Sequence, residues 1–162
     1  MRVTPAVAAQ LLALNAAHEI ETAPLSAAGL QQLLDRSWHL GLAGGDGAAG
    51  FLIALDDSSA HDGINFQWFK ARHKRFVYID RIIVAAAARG QGVARSLYDA
   101  LFRRAAAAGV PLIGCEVNCD PPNPASDGFH ARLGFAEVGR AWLPGGTKQV
   151  RYLARTTSDW PG

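Results

Sequence analysis

The chain has 162 residues, of which 49% are hydrophobic and 19% are charged, and its formal net charge is +2. This composition is typical of a folded globular protein and excludes a disordered tail, and the length predicts a single domain over residues 1–162. The excess of basic residues is too small and too dispersed to indicate a nucleic-acid partner. No apolar run approaches the ~18 residues of a membrane span, so we expect no membrane partner.

Two cysteines, Cys115 and Cys119, lie near the end of a predicted strand. Their spacing rarely brings two Cβ atoms close enough for a disulfide. Without further cysteines, a zinc site is not expected, and we predict no metal. Two reduced thiols indicate a cytoplasmic protein.

Two helices are predicted at the start of the chain. The apolar segment 6–14 is interrupted by Gln10 and has its apolar residues at helical spacing, which favours an amphipathic helix over a secretory signal. Thr4-Pro5 is a typical beginning for this helix, and Ser26 is a candidate cap for the second one.

The middle of the chain predicts a hairpin, a strand and a long helix. Apolar runs at 38–43 and 48–56 flank a glycine-rich turn and predict the hairpin. The polar stretch 57–74 has an aromatic centre and is compatible with a short helix or an ordered loop. The next strand is predicted over 76–84 and the helix over 93–108.

A strand over 112–118 follows, and it is predicted to be parallel to the preceding one because a long helix crosses over between them. A further helix runs to Leu133, and a final hairpin pairs 135–143 with 148–154. This order predicts an α/β (α+β) fold in which a mixed central sheet carries helices on its faces.

The connection Arg89-Gly90-Gln91-Gly92-Val93-Ala94 joins the strand 76–84 to the long helix. Glycines let the backbone approach a ligand, and the first N–H groups of a helix have no internal partner, so this turn predicts an anion site. A Rossmann fingerprint would need a third glycine where Arg95 stands. The Gly-Lys-Ser/Thr of a P-loop is also missing.

A second block lies downstream, from Asn123 to Phe135, with Phe129-His130 followed by Gly134-Phe135. Together with Ile82-Ile83-Val84 and Arg89-x-x-Gly92-x-Ala94, it resembles the GNAT superfamily of N-acetyltransferases. In that family the turn is Gln/Arg-x-x-Gly-x-Gly/Ala and the later helix is Asn-x-x-Ala-x-x-Phe-Tyr-x-x-x-Gly-Phe. The resemblance covers the chain from Tyr78 to Phe135, and it implies one GNAT-like domain with splayed parallel strands.

The resemblance implies acetyl-CoA as the donor, with CoA as product. Backbone N–H groups of residues 91–96 would hold the pyrophosphate, and the strand end would pair with the pantetheine arm as the next strand splays away. Arg89 would contact phosphate or remain solvated, and Asn123 would bind the arm or cap its helix. The expected cofactor residues are Ile83, Val84, Arg89, Gly90, Gln91, Gly92, Val93, Ala94, Arg95, Ser96, Asn123 and Phe129.

Acetyl transfer also needs a group that stabilises the carbonyl oxygen and one that protonates the leaving thiolate. The resemblance implies the Val84 N–H for the oxygen. The family commonly has Tyr for the thiolate, whereas this chain has His130. Imidazole can donate a proton, so His130 is either the acid or a positional substitute.

For the base, Asp80 and Glu116 stand out as acidic residues inside two strands that are otherwise apolar. A carboxylate in such a place is expected to have a raised pKa, which suits proton abstraction. The alternatives are a buried ion pair with Arg81 or Arg132, or a side chain that faces solvent.

The acceptor site is implied to lie between the first two helices and the loop before the central strand. The candidates there are His18, Glu19, Glu21, Trp38, Trp68 and Phe69. Helix-surface solvation for the polar residues, and core or lid packing for the aromatic ones, are the competing interpretations.

The sequence therefore predicts an acetyl-CoA-dependent N-acyltransferase that moves an acetyl group to a primary amine of a small molecule or peptide, by direct attack in a ternary complex. A catalytically idle acyl-CoA-binding or sensing domain is the alternative, which the missing Tyr favours. An RNA-directed acetyltransferase is a third hypothesis, which the near-neutral charge disfavours. A homodimer is compatible with the sequence.

Overall fold

The computed structural model describes residues 1–19 and 22–161, so Glu21 lies outside the described residues. Helix α1 spans Pro5–Ala16 and begins at Thr4, whose hydroxyl accepts a hydrogen bond from the Val7 N–H at 3.2 Å. Helix α2 spans Ala27–Arg36, and the Ser26 hydroxyl accepts from the Gly29 N–H at 3.0 Å. Both predicted caps are confirmed.

In the part of the chain that the structure describes, six strands form one sheet in the order β1-β2-β3-β4-β6-β5. Strands β3 and β4 are parallel, and the other neighbours are antiparallel. The predicted mixed sheet is thus confirmed. The strands are β1 (His39–Ala43), β2 (Gly50–Asp56), β3 (Val77–Val84), β4 (Leu112–Asp120), β5 (Ala136–Trp142) and β6 (Gln149–Thr156).

Three more helices connect the strands: α3 (Ile64–Lys70), α4 (Val93–Ala107) and α5 (Pro124–Arg132). Helix α3 decides the open question about the stretch 57–74 in favour of a short helix. A single 3₁₀ turn over Ala86–Ala88 leads into the glycine turn, and the sequence patterns did not indicate it. None of the described helices is long and apolar enough to cross a membrane.

Helices cover both faces of the sheet, as expected. One buried cluster packs α1, α2 and α3 on the sheet through residues such as Leu11, Leu34 and Phe69. The other packs α4 on the opposite face through residues such as Tyr98 and Phe102. Both cysteines are free thiols.

The parallel strands β3 and β4 splay apart, and this opens the middle of the sheet. They pair only at their beginnings, where Val77 lies opposite Ile113 and Tyr78 opposite Gly114. The register between β2 and β3 also shifts, so that Asp80 is an extra residue in β3. A bulge of this kind turns the strand and re-aims its side chains beside the opening.

Candidate active site

The glycine turn makes an open cradle at the beginning of α4. Gly90 and Gly92 both have φ of +76°, which glycine adopts without strain. A Cβ placed on either residue would meet no atom of the described residues within 4 Å, so the described part of the chain leaves the space above the turn open. A ligand can therefore approach the backbone closely here.

The first turn of α4 offers hydrogen-bond donors to that space. Gly92 caps the helix without a side-chain bond, so the N–H groups of the first turn have no partner of that kind among the described residues. We expected the donors to extend to Ser96, but its N–H donates to the Gly92 carbonyl at 3.0 Å. The unpartnered N–H groups and the positive end of the helix dipole favour an anion.

The end of β3 presents backbone groups to the gap between the splayed strands. The Ala85 N–H donates to the Ala49 carbonyl at 2.9 Å, on the β2 side. Because successive N–H groups of an extended strand point in opposite directions, the Val84 N–H points toward the gap. An extended ligand in the gap can pair with this edge as an added strand would.

A cleft of about 380 Å³, the glycine-turn cleft, follows from the turn along this edge. It gathers Arg89 and Ala94 from the turn with residues of β3 and α5. The lining residues are His18, Thr22, Ile82, Ile83, Val84, Arg89, Ala94, Asn123, Ala125, Ser126, Phe129 and His130. Many of the predicted cofactor residues are thus brought together.

Three side chains that we expected to contact the cofactor form hydrogen bonds within the protein. The Arg89 guanidinium donates to His18 Nε2 at 3.1 Å. Arg95 donates to Asp99 at 3.1 Å, away from the turn, and Asn123 caps α5 by accepting from the Ser126 N–H at 3.3 Å. The capping alternative for Asn123 is therefore confirmed, and Asn123 also borders the glycine-turn cleft.

His130 is buried at the junction between the glycine-turn cleft and a smaller central cleft of about 130 Å³. Its Nδ1 lies 2.8 Å from the Ser126 carbonyl oxygen, which can only accept, so Nδ1 carries the hydrogen. Its Nε2 then accepts from the Tyr98 hydroxyl at 2.7 Å. Burial lowers the pKa of His130, which favours this neutral form.

Glu116 forms the other side of the central cleft. Burial, with a contribution from the charge of Asp80, raises the pKa of Glu116 to about 7, although the Tyr78 hydroxyl opposes the shift by donating to Oε2 at 2.6 Å. The carboxyl can therefore exchange a proton near neutral pH. The expectation of a raised pKa is met at this residue.

Asp80 lies beside Glu116 and forms an ion pair with Arg81. Its carboxylate accepts from Arg81 Nε at 2.8 Å and lies 3.6 Å from His61 Nε2. Arg81 also donates to the Asn15 side chain at 2.6 Å, which anchors the pair to α1. Of the two ion-pair alternatives, the structure has the one with Arg81.

A third cleft of about 280 Å³, the Lys148 cleft, continues from the central one beyond Glu116 and Asp80. Sequence reasoning missed several of its residues, because they come from the loop before α3, from α3 itself and from the residue before β6. These missed residues are His61, Asn65 and Lys148. The three clefts share lining residues with their neighbours and form one trench across the sheet.

The predicted acceptor residues lie mostly elsewhere. Phe69 is fully buried, and Trp68 stacks on Tyr152 with ring centroids 4.1 Å apart, so both contribute to packing. Trp38 lies under the Arg104 guanidinium near the β1 edge. Glu19 is exposed, and His18 borders the glycine-turn cleft.

A sequence model of the Acetyltransferase (GNAT) family matches residues 14–135 of the chain. No curated protein sequence matches the chain. The matched range contains the glycine turn, both acidic residues of the central cleft and His130.

Several solved structures share the fold. Ard1 from Thermoplasma volcanium has a TM-score of 0.76 at 15% identity, over 98% of this chain and 97% of that chain. The ribosomal-protein-alanine N-acetyltransferase from Brucella melitensis has a TM-score of 0.69 at 22% identity, over 96% and 98%. The NatC complex bound to Gag peptide and CoA contains a chain with a TM-score of 0.72 at 16% identity, over 94% and 92%.

Proposed function

The chain belongs to the Acetyltransferase (GNAT) family, and from this membership we propose that it is an acetyl-CoA-dependent N-acyltransferase that acetylates a primary amine. The observation that carries the proposal is the trench. The glycine-turn cleft and the Lys148 cleft meet at the central cleft, between His130 and Glu116. Two substrates that enter from opposite ends would therefore meet beside an imidazole and a carboxyl.

The residues of the glycine-turn cleft fit an acyl-CoA. The open space above Gly90 and Gly92 and the free donors at the beginning of α4 suit a pyrophosphate. The gap beside β3 suits an extended arm with amide groups. A chain of the same fold occurs in a complex bound to CoA, which supports this assignment.

We assign the base to Glu116. An amine must lose its proton before it can attack, and a carboxyl whose pKa is about 7 can take that proton near neutral pH. Asp80 supports this role, because its negative charge beside Glu116 helps to raise that pKa. The Tyr78 hydroxyl holds the carboxyl in position through its hydrogen bond.

The Val84 N–H is assigned to the carbonyl oxygen of the acetyl group. It points into the gap at the end of β3, where a donor would stabilise the negative charge that builds on the oxygen during attack. Its position is fixed by the pairing of β3 with β2 on the opposite side.

His130 is assigned to the leaving thiolate, because it lies where the glycine-turn and central clefts meet. In the resting arrangement its Nε2 accepts from Tyr98, so His130 must first take up a proton before it can give one. The proton that the amine loses would supply it, and the Nε2–H would have to leave the Tyr98 oxygen to reach the thiolate.

Direct attack without an acyl-enzyme is part of the proposal. Cys115 borders the central cleft, but burial raises the pKa of its thiol well above the ordinary value, and a protonated thiol is a poor nucleophile. With two free thiols in one domain over 1–162, a cytoplasmic location fits the same proposal.

The proposal is tested by measuring release of the CoA thiol from acetyl-CoA in the presence of amines, amino acids, polyamines and peptides, with mass spectrometry of the products. Release that depends on one amine class, with an acetylated product, is the expected result. Tight acetyl-CoA binding without release in any mixture would instead establish the acyl-CoA-sensing alternative, which the occupied Nε2 of His130 favours.

A further inference from the structure

Lys148 lies at the far end of the trench from the glycine turn. It is half-buried directly before β6, and its carbonyl accepts from the Leu143 N–H at 2.8 Å, which fixes its place at the base of the β5–β6 turn. Lys148 and Val150 both line the Lys148 cleft. Alternate residues of an extended strand share a face, so Lys148, Val150 and Tyr152 lie on one side of β6.

The charges in this cleft do not suit a simple amine alone. Asp80 is balanced by its ion pair with Arg81 at 2.8 Å. The Glu116 carboxyl, with its pKa of about 7, is only partly charged at neutral pH. Lys148 forms no ion pair with any carboxylate of the described residues, so a polyamine would meet an uncompensated positive charge.

The spacing of Glu116 and Lys148 suits a small bifunctional molecule. Tyr152 lies opposite Glu116 in the pairing of β4 with β6, and Lys148 precedes Tyr152 by four positions. At ~3.3 Å per residue, the backbone of Lys148 lies roughly 13 Å along β6 from that of Tyr152, and therefore about as far from the level of Glu116. The lysine side chain can shorten that span. Asn118, opposite Val150, places an amide between them.

The size of the cleft points in the same direction. Its volume of about 280 Å³ lies just below the range of roughly 300–1,000 Å³ that is usual for ligand sites. A compact molecule can fill it with its amine near Glu116 and a second polar group near the ammonium of Lys148.

We propose that the acceptor is a small amino acid-like molecule that carries a carboxylate as well as its primary amine, and that Lys148 binds this carboxylate. The proposal deepens the proposed function and rests on it. Lys148 is then the specificity-determining residue, while Glu116 handles the proton of the amine. An ammonium against a carboxylate is a charge-assisted pair, the strong class of hydrogen bond.

The test compares matched acceptors in the CoA-release assay. A panel of free L-amino acids is measured beside the same amino acids as carboxamides, which keep the amine and side chain but lack the negative charge. The wild type should prefer the free acid in kcat/KM by roughly 10-fold or more, the effect of one charge-assisted hydrogen bond. Lys148→Met should remove this preference, and Lys148→Arg should retain most of it.

Lys74→Met is the matched control, because Lys74 is exposed on the loop before β3 and away from the trench. It removes the same charge and should leave the preference unchanged. A second readout needs no turnover: the shift in Tm that each acid and each carboxamide causes in the presence of CoA. The free acids should give the larger shift with wild type and not with Lys148→Met.

Equal kcat/KM for free acids and carboxamides would overturn the proposal, and so would equal Tm shifts when no acceptor is turned over. It would also be overturned if Lys148→Met lost activity toward the free acids and the carboxamides to the same extent. Release of CoA with carboxamides at the same kcat/KM as with the free acids would leave the acetyltransferase function standing and refute only the proposal that Lys148 binds a carboxylate. Absence of release with every amine, while acetyl-CoA binds, would refute the function itself.

Discussion

The two ends of the trench are built in different ways. At the glycine-turn end, the backbone N–H donors come from one continuous segment, from the end of β3 through Gly90 and Gly92 to the first turn of α4. The Lys148 end collects side chains from separate segments, among them Asn65, Glu116 and Lys148. The first depends on local chain conformation, and the second depends on the tertiary fold.

This difference separates the tasks that we assign to the two ends. Backbone donors and a helix dipole recognise a phosphate in any sequence that forms the turn, because they belong to no particular side chain. Side chains from several elements can be exchanged one at a time without disturbing the turn. Substitutions at the first end should therefore change acetyl-CoA affinity, and those at the second should change turnover or acceptor choice.

The largest effect is expected from Gly92→Glu. A side chain at φ +76° is strained and would enter the free space above the turn, where its charge would repel the pyrophosphate. Loss of several charge-assisted hydrogen bonds should weaken acetyl-CoA binding by ~10³-fold or more. Isothermal titration calorimetry with CoA and acetyl-CoA measures this directly.

Gly109→Glu serves as the control, since Gly109 has φ of +66° at the opposite end of α4. It imposes a similar backbone strain and the same charge away from the trench. CoA affinity should be retained in this variant. Unchanged affinity in Gly92→Glu would place the pyrophosphate elsewhere.

Glu116→Gln should impair the Lys148 end of the trench: turnover should fall by ~10²-fold or more, while CoA affinity stays unchanged. A general base commonly contributes a factor of this size, and the amide cannot take up the proton. Steady-state kinetics with the best acceptor, together with calorimetry for CoA, separate the two effects. A comparable loss of CoA affinity would show that the two ends are not independent.

The same variant should change stability in a pH-dependent way. Because the pKa of Glu116 in the folded protein, about 7, lies above its ordinary value of 4.5, its contribution to stability is present below pH 4.5 and is lost as pH rises through 7. At pH 8 Glu116→Gln should therefore be more stable than wild type, by up to about 3 kcal/mol, and near pH 4 the two should be alike. Urea denaturation at both pH values tests the sign.

His130→Phe should slow turnover by roughly 10-fold, at the low end of proton-transfer effects, while sparing cofactor affinity. Phenylalanine keeps the ring contacts with Tyr98 and Phe135, whose centroids lie 5.7 and 5.1 Å from that of His130. Single-turnover measurements of acetyl transfer would isolate this step from product release. Unchanged turnover would assign His130 a structural role.

Local signals account for what the sequence could predict. Short stretches of consecutive residues predict four features: the caps Thr4 and Ser26, the glycine turn, and the crossover from β3 to β4. All four are present. The extra residue at Asp80 was not predictable, because a bulge depends on how two strands meet and leaves no periodic signal in one of them.

The same distinction applies to the site. Ile83 and Ala94 could be placed because they belong to a contiguous pattern, and both border the glycine-turn cleft. Lys148 follows a glycine turn and resembles any exposed lysine until β6 is known to pair with β4. Trp68 was expected at the acceptor, but its stacking on Tyr152 depends on a strand that lies far along the chain.

The smallest effect is expected at the junction of the two ends, from Tyr98→Phe. The Tyr98 hydroxyl donates to Nε2 of His130 at 2.7 Å, so it stabilises the neutral imidazole, in addition to the burial that lowers the pKa of His130. Its removal should raise that pKa, which NMR titration of the imidazole in the ligand-free protein can follow.

A merely structural role for Tyr98 would lower Tm and leave the titration of His130 unchanged. If His130 also protonates the leaving thiolate, the imidazolium persists to higher pH in Tyr98→Phe. The limb of the kcat profile that falls with rising pH should then move in the same direction as the titration. If the His130 titration shifts and the pH profile of kcat does not, Tyr98 sets the charge of His130 but the thiolate takes its proton from another group. The proton chemistry would then belong to the Glu116 side of the trench.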